Sequence, residues 1–344
     1  MKVLISFRVN HKFDNFEGAR VRKSIKGALE LNEQAYTTSS VDYYDVAHLI
    51  KPESENKITS IQDNGVPVIV SALYAEDDPT ASYLTHVKKN GAHLSTINVK
   101  NQKFLNKADL ILVPCESNVD LLRKNGITSK IKVCYPGVNL SRFDYSREDE
   151  KDIFYRYYAE DKNKKLVIAV GEYDSSMDGI SSFITAAKKC PNAIFYYIGR
   201  VKGLTNFRFK VNRLFRSAPK NVHFVDVPPD DVYRSALLNA SVFMLPGYKI
   251  AGVTSLAEAM AAKTQIIARK CAIYPGFLED GVTAHLAEFS ETLSSLTRDF
   301  LEGKITPTTA NAYKAISEHS LTDYGKGLID IYQEVIKDNT HRRI

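Results

Sequence analysis

Leu245-Pro246-Gly247-Tyr248-Lys249-Ile250-Ala251-Gly252-Val253-Thr254-Ser255-Leu256-Ala257-Glu258-Ala259-Met260-Ala261 runs a strand end, a glycine-broken loop and a helix together in one piece of chain. The apolar run Val242 to Leu245 reads as a buried strand. The Ala-rich segment from Ser255 reads as a helix with Glu258 in its first turn. A carboxylate there suits the helix dipole. It also sits among Leu-Ala and Ala-Met-Ala, residues of core type, where a charge needs a partner. Two readings stand. Glu258 is a helix N-terminal charge beside a packed face, or it holds a ligand hydroxyl in the strand-to-helix crevice of an α/β sheet.

The bulk properties set the class. A chain of 344 residues exceeds one ordinary core, so two domains are expected. With 44% hydrophobic and 25% charged residues it has the composition of a soluble globular protein. There is no run of about 18 apolar residues to span a membrane. Met1-Lys2-Val3-Leu4-Ile5-Ser6-Phe7 reads as a first strand, too short for a signal peptide and without a small-residue cleavage site. Cys115, Cys134, Cys190 and Cys271 are scattered, as reduced core cysteines of a cytosolic protein are. The net charge of +6 is mild, so its distribution matters more than its size.

Strand and helix patterns alternate throughout. Lys2 to Phe7, Val46 to Ile50, Pro67 to Ser71, Leu110 to Val113 and Ile131 to Tyr135 read as strands of a first half. Helices fall at Arg20 to Leu31, near Asn98 to Lys107 and after Cys115, with Ser117 as its N-cap. The charged, aromatic stretch Asn139 to Lys165 reads as a linker and the opening of a second domain. The rhythm then restarts, with strands Leu166 to Val170 ending at Gly171, Ile194 to Ile198 ending at Gly199, Val222 to Val225, Val242 to Leu245 and Gln265 to Ala268. Alternation of this kind implies parallel sheets, and two such halves place a ligand cleft at the C-terminal strand ends.

Certain residues carry a family resemblance. They are Gly27-Ala28-Leu29-Glu30-Leu31, Tyr36-Thr37-Thr38 and Tyr44-Asp45-Val46-Ala47-His48, then Ala108 to Pro114 and Tyr135-Pro136-Gly137-Val138-Asn139-Leu140-Ser141-Arg142-Phe143. Leu256-Ala257-Glu258-Ala259-Met260-Ala261 and Phe277-Leu278-Glu279-Asp280-Gly281-Val282 continue it. Over nearly its whole length the chain resembles GT-B glycosyltransferases of the family 4 type. Within them it is most similar to Gram-positive enzymes that glycosylate diacylglycerol lipids. The resemblance implies an α/β fold of two Rossmann-like, doubly wound domains facing across a cleft. Residues 1–145 would form the acceptor side and residues 146–320 the nucleotide-sugar side, with a C-terminal helix at 321–344 crossing back to the first domain.

The resemblance also implies roles. Glu258 would hold the donor ribose. Backbone N–H groups of Gly252, Val253 and Thr254 would meet the diphosphate or sugar. Pro246 and Gly247 would shape the loop, and Gly171 would allow close backbone approach at a strand end. Gly18 and Arg20, in the loop after the first strand, would touch the acceptor or the diphosphate. The nucleotide-sugar is a substrate, so no cofactor is expected.

The chain departs from the pattern at three places. Relatives carry a carboxylate eight residues before Glu258, where this chain has Ile250 beside Lys249. They clamp the diphosphate with Arg and Lys after the strand ending at Gly171. Here Glu172-Tyr173-Asp174-Ser175-Ser176-Met177-Asp178 holds acids and no base. Each carboxylate at ~4 Å from a diphosphate would cost roughly 4 kcal/mol at an effective dielectric of about 20, before screening. Relatives often have a His after the strand that ends at Val70, where this chain has Ser71. The acidic loop reads as solvated rather than as a metal site, and no metal is expected.

The basic residues Arg200, Lys202, Arg208, Lys210, Arg213, Arg216 and Lys220 interleave with Phe207, Phe209, Leu214 and Phe215. Three readings stand: a solvated helix with Phe packed inward, contact with an anionic membrane, or Arg200 and Lys202 in place of the missing clamp. On the first helix, Arg22 and Lys26 share a face and join the membrane candidates. No nucleic-acid motif is present. Two function classes follow. The first is a hexosyltransferase moving sugar from a UDP-sugar to a lipid or cell-envelope acceptor with retention, cytoplasmic and peripheral on the inner membrane face. The second is a catalytically silent paralogue that binds or regulates an active glycosyltransferase; Ile250 and the acidic loop favour it.

Overall fold

The computed structural model describes residues 1–7, 16–50, 54–72, 97, 99–144, 150–173, 179–201, 213–247, 253–270 and 278–341. Lys202, Arg208, Lys210, Ile250, Gly252, Cys271 and the acids Asp174 and Asp178 lie outside them. The chain forms two compact units, one containing residues 1–77, 84–138 and 319–344, the other residues 78–83 and 139–318.

The first unit is a parallel sheet of β1 (Val3–Ser6), β2 (Tyr36–Thr37), β3 (Val46–Ile50), β4 (Val68–Ser71), β5 (Leu110–Val113) and β6 (Ile131–Val133), in the order β2-β1-β3-β4-β5-β6. Period-2 alternation sorts its side chains. Val3, Ile5, Val46 and Ile50 bury against α1 (Phe16–Leu31) and α11 (Leu321–His341). Leu4, Ala47, Leu49, Val68 and Val70 bury on the opposite face with α2 (Glu55–Asp63) and α3 (Val99–Leu105). Both faces are covered, which is why these strands read as continuous apolar runs. The C-terminal segment enters this unit through a short parallel bridge: Val138 N–H donates to His319 O (3.0 Å), and Leu321 N–H donates to Val138 O (3.0 Å). A Cβ on Gly137 would lie 2.5 Å from Tyr324 Cβ, so only glycine admits that approach.

α4 (Glu116–Lys124) starts two residues earlier than the sequence implies, and its N-cap is Cys115 rather than Ser117. The Cys115 thiol donates to Asn118 Oδ1 at 2.6 Å. Cys115, Cys134 and Cys190 form no disulfide.

The second unit opens with a one-turn 3₁₀ helix, Leu140–Phe143, and α5 (Ile153–Tyr158). Its parallel sheet comprises β7 (Leu166–Tyr173), β8 (Ile194–Val201), β9 (Val222–Val225), β10 (Ala240–Leu245), β11 (Gln265–Arg269) and β12 (His285–Ala287). The order is β12-β11-β10-β7-β8-β9, the Rossmann winding, which reverses between β7 and β10. α6 (Ile180–Lys189) and α9 (Ser290–Leu301) share a core with one face, built on Val167, Ala169, Phe195, Tyr197, Val242 and Met244. The remaining helices of the unit are α7 (Asp230–Asn239), α8 (Val253–Ala261) and α10 (Thr309–Ser317).

The structure corrects the strand ends. β7 and β8 run on through Gly171 and Gly199, which pair with each other, and Glu172 stands opposite Arg200 in register. A glycine inside a strand normally marks a close approach. Here a Cβ on Gly199 would sit 1.8 Å from Gly171 O, and one on Gly171 would sit 2.7 Å from the Tyr197 hydroxyl. Packing inside the sheet therefore accounts for both glycines.

One buried polar group of the first unit has a pH consequence. His48 on β3 is fully buried, with Nδ1 2.7 Å from Tyr332 Oη and Nε2 2.7 Å from Ser71 Oγ. Desolvation pushes its pKa down to about 4. The folded state therefore binds this proton less readily than the unfolded chain. The stability contribution is complete above the unfolded value near 6.5 and is lost as pH falls toward 4, a total of roughly 3 kcal/mol at about 1.4 kcal/mol per pH unit. Urea unfolding at several pH values in this window, for wild type and His48→Asn, measures it. The expected result is a shallower pH slope in the variant; identical slopes would contradict the neutral, buried assignment.

Candidate functional site

In a doubly wound sheet the ligand crevice opens where strand order reverses, beyond the C-terminal strand ends. In the second unit that is the mouth of β7 and β10. Beyond β10 the chain passes Pro246 and Gly247, and α8 begins at Val253. Gly179, the N-cap of α6, has φ +73°, and a Cβ there would lie 2.2 Å from Pro246 O. The start of α6 is thus pressed against the exit of β10.

Arg269, at the end of β11, fixes this mouth. It is 1% exposed. Its Nε donates to Pro246 O (3.2 Å) and its Nη1 to Glu288 O (2.7 Å). Its Nη2 donates to Ser182 Oγ (3.1 Å) and Ser290 Oγ (2.8 Å), and the two hydroxyls lie 2.8 Å apart. One rigid guanidinium fork therefore joins the β10 exit, the first turn of α6, the first turn of α9 and the strand before it. Nothing in the local sequence marks Arg269 for this; it reads only as a polar residue at a strand end.

Glu258 lies on α8, where every residue from Thr254 to Ala261 is buried. The helix starts two residues earlier than its sequence pattern implies, so Glu258 falls in the second turn rather than the first. The dipole effect fades beyond the first turn, which weakens the capping account of this carboxylate. Its cation is Arg142: Nη1 donates to Glu258 Oε1 at 3.4 Å, while Nη2 meets Asp230 Oδ1 at 2.7 Å and Asp230 O at 3.3 Å. The Arg142 and Glu258 side chains are 16% and 10% exposed, a burial that would be costly without the pairing. Arg142 belongs to the Asn139–Phe143 signature, yet no local spacing points to its partner, 116 residues away.

The other candidate residues fall as follows. Val253 and Thr254 form the first turn of α8. Gly171 lies within β7, paired with Gly199. Arg200 lies in β8 rather than in a basic helix. Gly18 and Arg20 sit inside α1, not in a preceding loop, because α1 already begins at Phe16; both are buried. Arg22 and Lys26 share a face of α1 as spaced, but both are half-buried there. Lys26 Nζ lies 5.5 Å from the centroid of Tyr36. Desolvation, followed by the hydrogen bond to Glu30, pushes the Tyr36 phenol up to about 12, and Arg22 opposes the rise. Arg213 and Arg216 are exposed on a short helical stretch, 213–217. Among the described residues no group of acids, histidines or cysteines is arranged to hold a metal, and no helix is long and apolar enough to cross a membrane.

Comparison with known proteins places this geometry. Residues 150–318 match the family of glycosyl transferases group 1. The chain is 27% identical over 314 residues to the processive diacylglycerol alpha-glucosyltransferase of Acholeplasma laidlawii, covering 91% of this chain and 92% of that one. Anabaena Alr3699/HepE, solved with UDP and glucose, superposes with TM-score 0.72 at 12% identity, covering 97% of this chain and 99% of that one. WaaG, a glycosyltransferase involved in lipopolysaccharide biosynthesis, gives TM-score 0.66 at 14% identity over 96% and 99%. The chain therefore has the GT-B fold, and its residues 150–318 match the glycosyl transferases group 1 family.

Proposed function

We propose that the protein transfers a hexose from a UDP-sugar to a membrane lipid or cell-envelope acceptor, with retention of configuration. The observation that carries this reading is Glu258, a buried carboxylate on the helix that follows the switch-point strand β10. A carboxylate in that position suits the donor ribose. The N–H groups of Val253 and Thr254, in the first turn of α8, suit an anionic diphosphate. The solved relative holding UDP and glucose supports the donor class, and the diacylglycerol glucosyltransferase supports the lipid acceptor. Developing charge on the departing UDP needs compensation. Arg200, opposite Glu172 in register, is the basic residue of this unit assigned to that task.

A second reading, a silent paralogue that partners an active glycosyltransferase, draws on the sequence Glu172 to Asp178 and on Ile250. Calorimetry with UDP-glucose separates the two. Under the transferase reading the wild type binds, and Glu258→Ala weakens binding at least tenfold, since a charged hydrogen bond is worth about 1.5–3 kcal/mol. No heat at millimolar donor, or equal affinity in both proteins, would contradict it.

The exposed Arg213 and Arg216 support peripheral contact with an anionic bilayer. At about 1 kcal/mol per basic residue, Arg213→Gln with Arg216→Gln should reduce partitioning onto phosphatidylserine vesicles roughly thirtyfold. Sedimentation reads this directly; equal recovery with neutral and anionic vesicles would remove the membrane from the account.

A further inference from the structure

The orientation of Arg142 is fixed by contacts that do not involve Glu258. Its backbone N–H donates to the Asn139 side chain at 3.3 Å, the cap of the 3₁₀ turn. Its carbonyl accepts from Arg234 Nε on α7, and Arg234 Nη1 pairs with Glu150. Phe143 is buried beside it, with the guanidinium 5.5 Å from that ring centroid. One nitrogen of the fork is held at 2.7 Å by Asp230, which leaves the other aimed at Glu258 Oε1, 3.4 Å away. A glutamate has three side-chain torsions to order, and a pre-set guanidinium limits them before any ligand arrives.

We propose that Arg142 is a positioning residue of the donor site: it holds the Glu258 carboxylate in the orientation that accepts the ribose hydroxyls, and so sets the preference for a ribonucleotide over one lacking them. This rests on the donor reading of Glu258. A residue that served only to stabilise the fold would lower affinity for both nucleotides alike. A positioning residue changes their ratio.

The test is calorimetric affinity for UDP and 2′,3′-dideoxy-UDP in wild type, Glu258→Gln, Arg142→Met, Arg142→Lys and the double variant Glu258→Gln/Arg142→Met. Wild type should prefer UDP by on the order of tenfold or more, the scale of one charged hydrogen bond. Arg142→Met should bring the ratio to within about threefold of unity, as Glu258→Gln does, with no further fall in the double variant because the two act as a unit. Arg142→Lys, with charge but no fork, should recover part of the ratio. An Arg142→Met protein that unfolds at the wild-type temperature and keeps the full preference would overturn the assignment. Should that variant fail to fold, Asp230→Asn releases the fork instead, and an undiminished ratio there overturns it equally. A wild type that binds no UDP would remove the donor reading itself, a result distinct from normal binding with a ratio insensitive to Arg142.

Discussion

Parallel pairing of β7 with β10 is the constraint from which the second unit is built. The chain winds outward from β7 through β8 to β9, then must return beside β7 and wind the other way. That reversal separates the helices leaving β7 and β10 and opens a crevice between them. The mouth is lined by backbone because no side chain fits: Gly179 yields its Cβ position to Pro246 O. Arg269 then locks the same carbonyl to the first turns of α6 and α9. Two parallel devices, a missing side chain and a rigid fork, set the position of Pro246, where the chain leaves β10.

The two units handle buried polarity differently. In the first, His48 bridges Tyr332 and Ser71 as a neutral ring, so the C-terminal helix is bonded to the middle of the sheet without burying a charge. In the second, Arg142 and Glu258 are a largely buried ion pair, and Asp230 holds the same guanidinium from the exposed side. Desolvation offsets much of the attraction in such a pair, so it adds little net stability, while breaking one partner leaves an uncompensated charge. The contrast fits the proposed role of Glu258 as a carboxylate kept charged in the second unit.

What the sequence revealed followed the range of each interaction. Strands buried on both faces are visible as apolar runs, so Val46–Ile50 and Leu110–Val113 were legible residue by residue, and β10 all but its first two residues, Ala240 and Ser241. Strand ends at glycine were not, because the pairing that carries β7 and β8 past Gly171 and Gly199 exists only once the two strands lie side by side. Helix starts were read two or more residues late at α1, α4 and α8; at α4 the N-cap, Cys115, makes no capping side-chain hydrogen bond. Glu258 was legible as a charge in need of a partner. Arg142 was visible only as part of a motif, and Arg269 not at all, because each acts through partners far away in the chain.

The most direct measurement is a crystal structure of the protein with UDP. The account predicts the nucleotide in the crevice beyond β7 and β10, its diphosphate at the first turn of α8 and its ribose hydroxyls within hydrogen-bonding distance of Glu258, with Arg142 still on Oε1. UDP bound elsewhere, or in this crevice with its ribose turned away from Glu258, would contradict it.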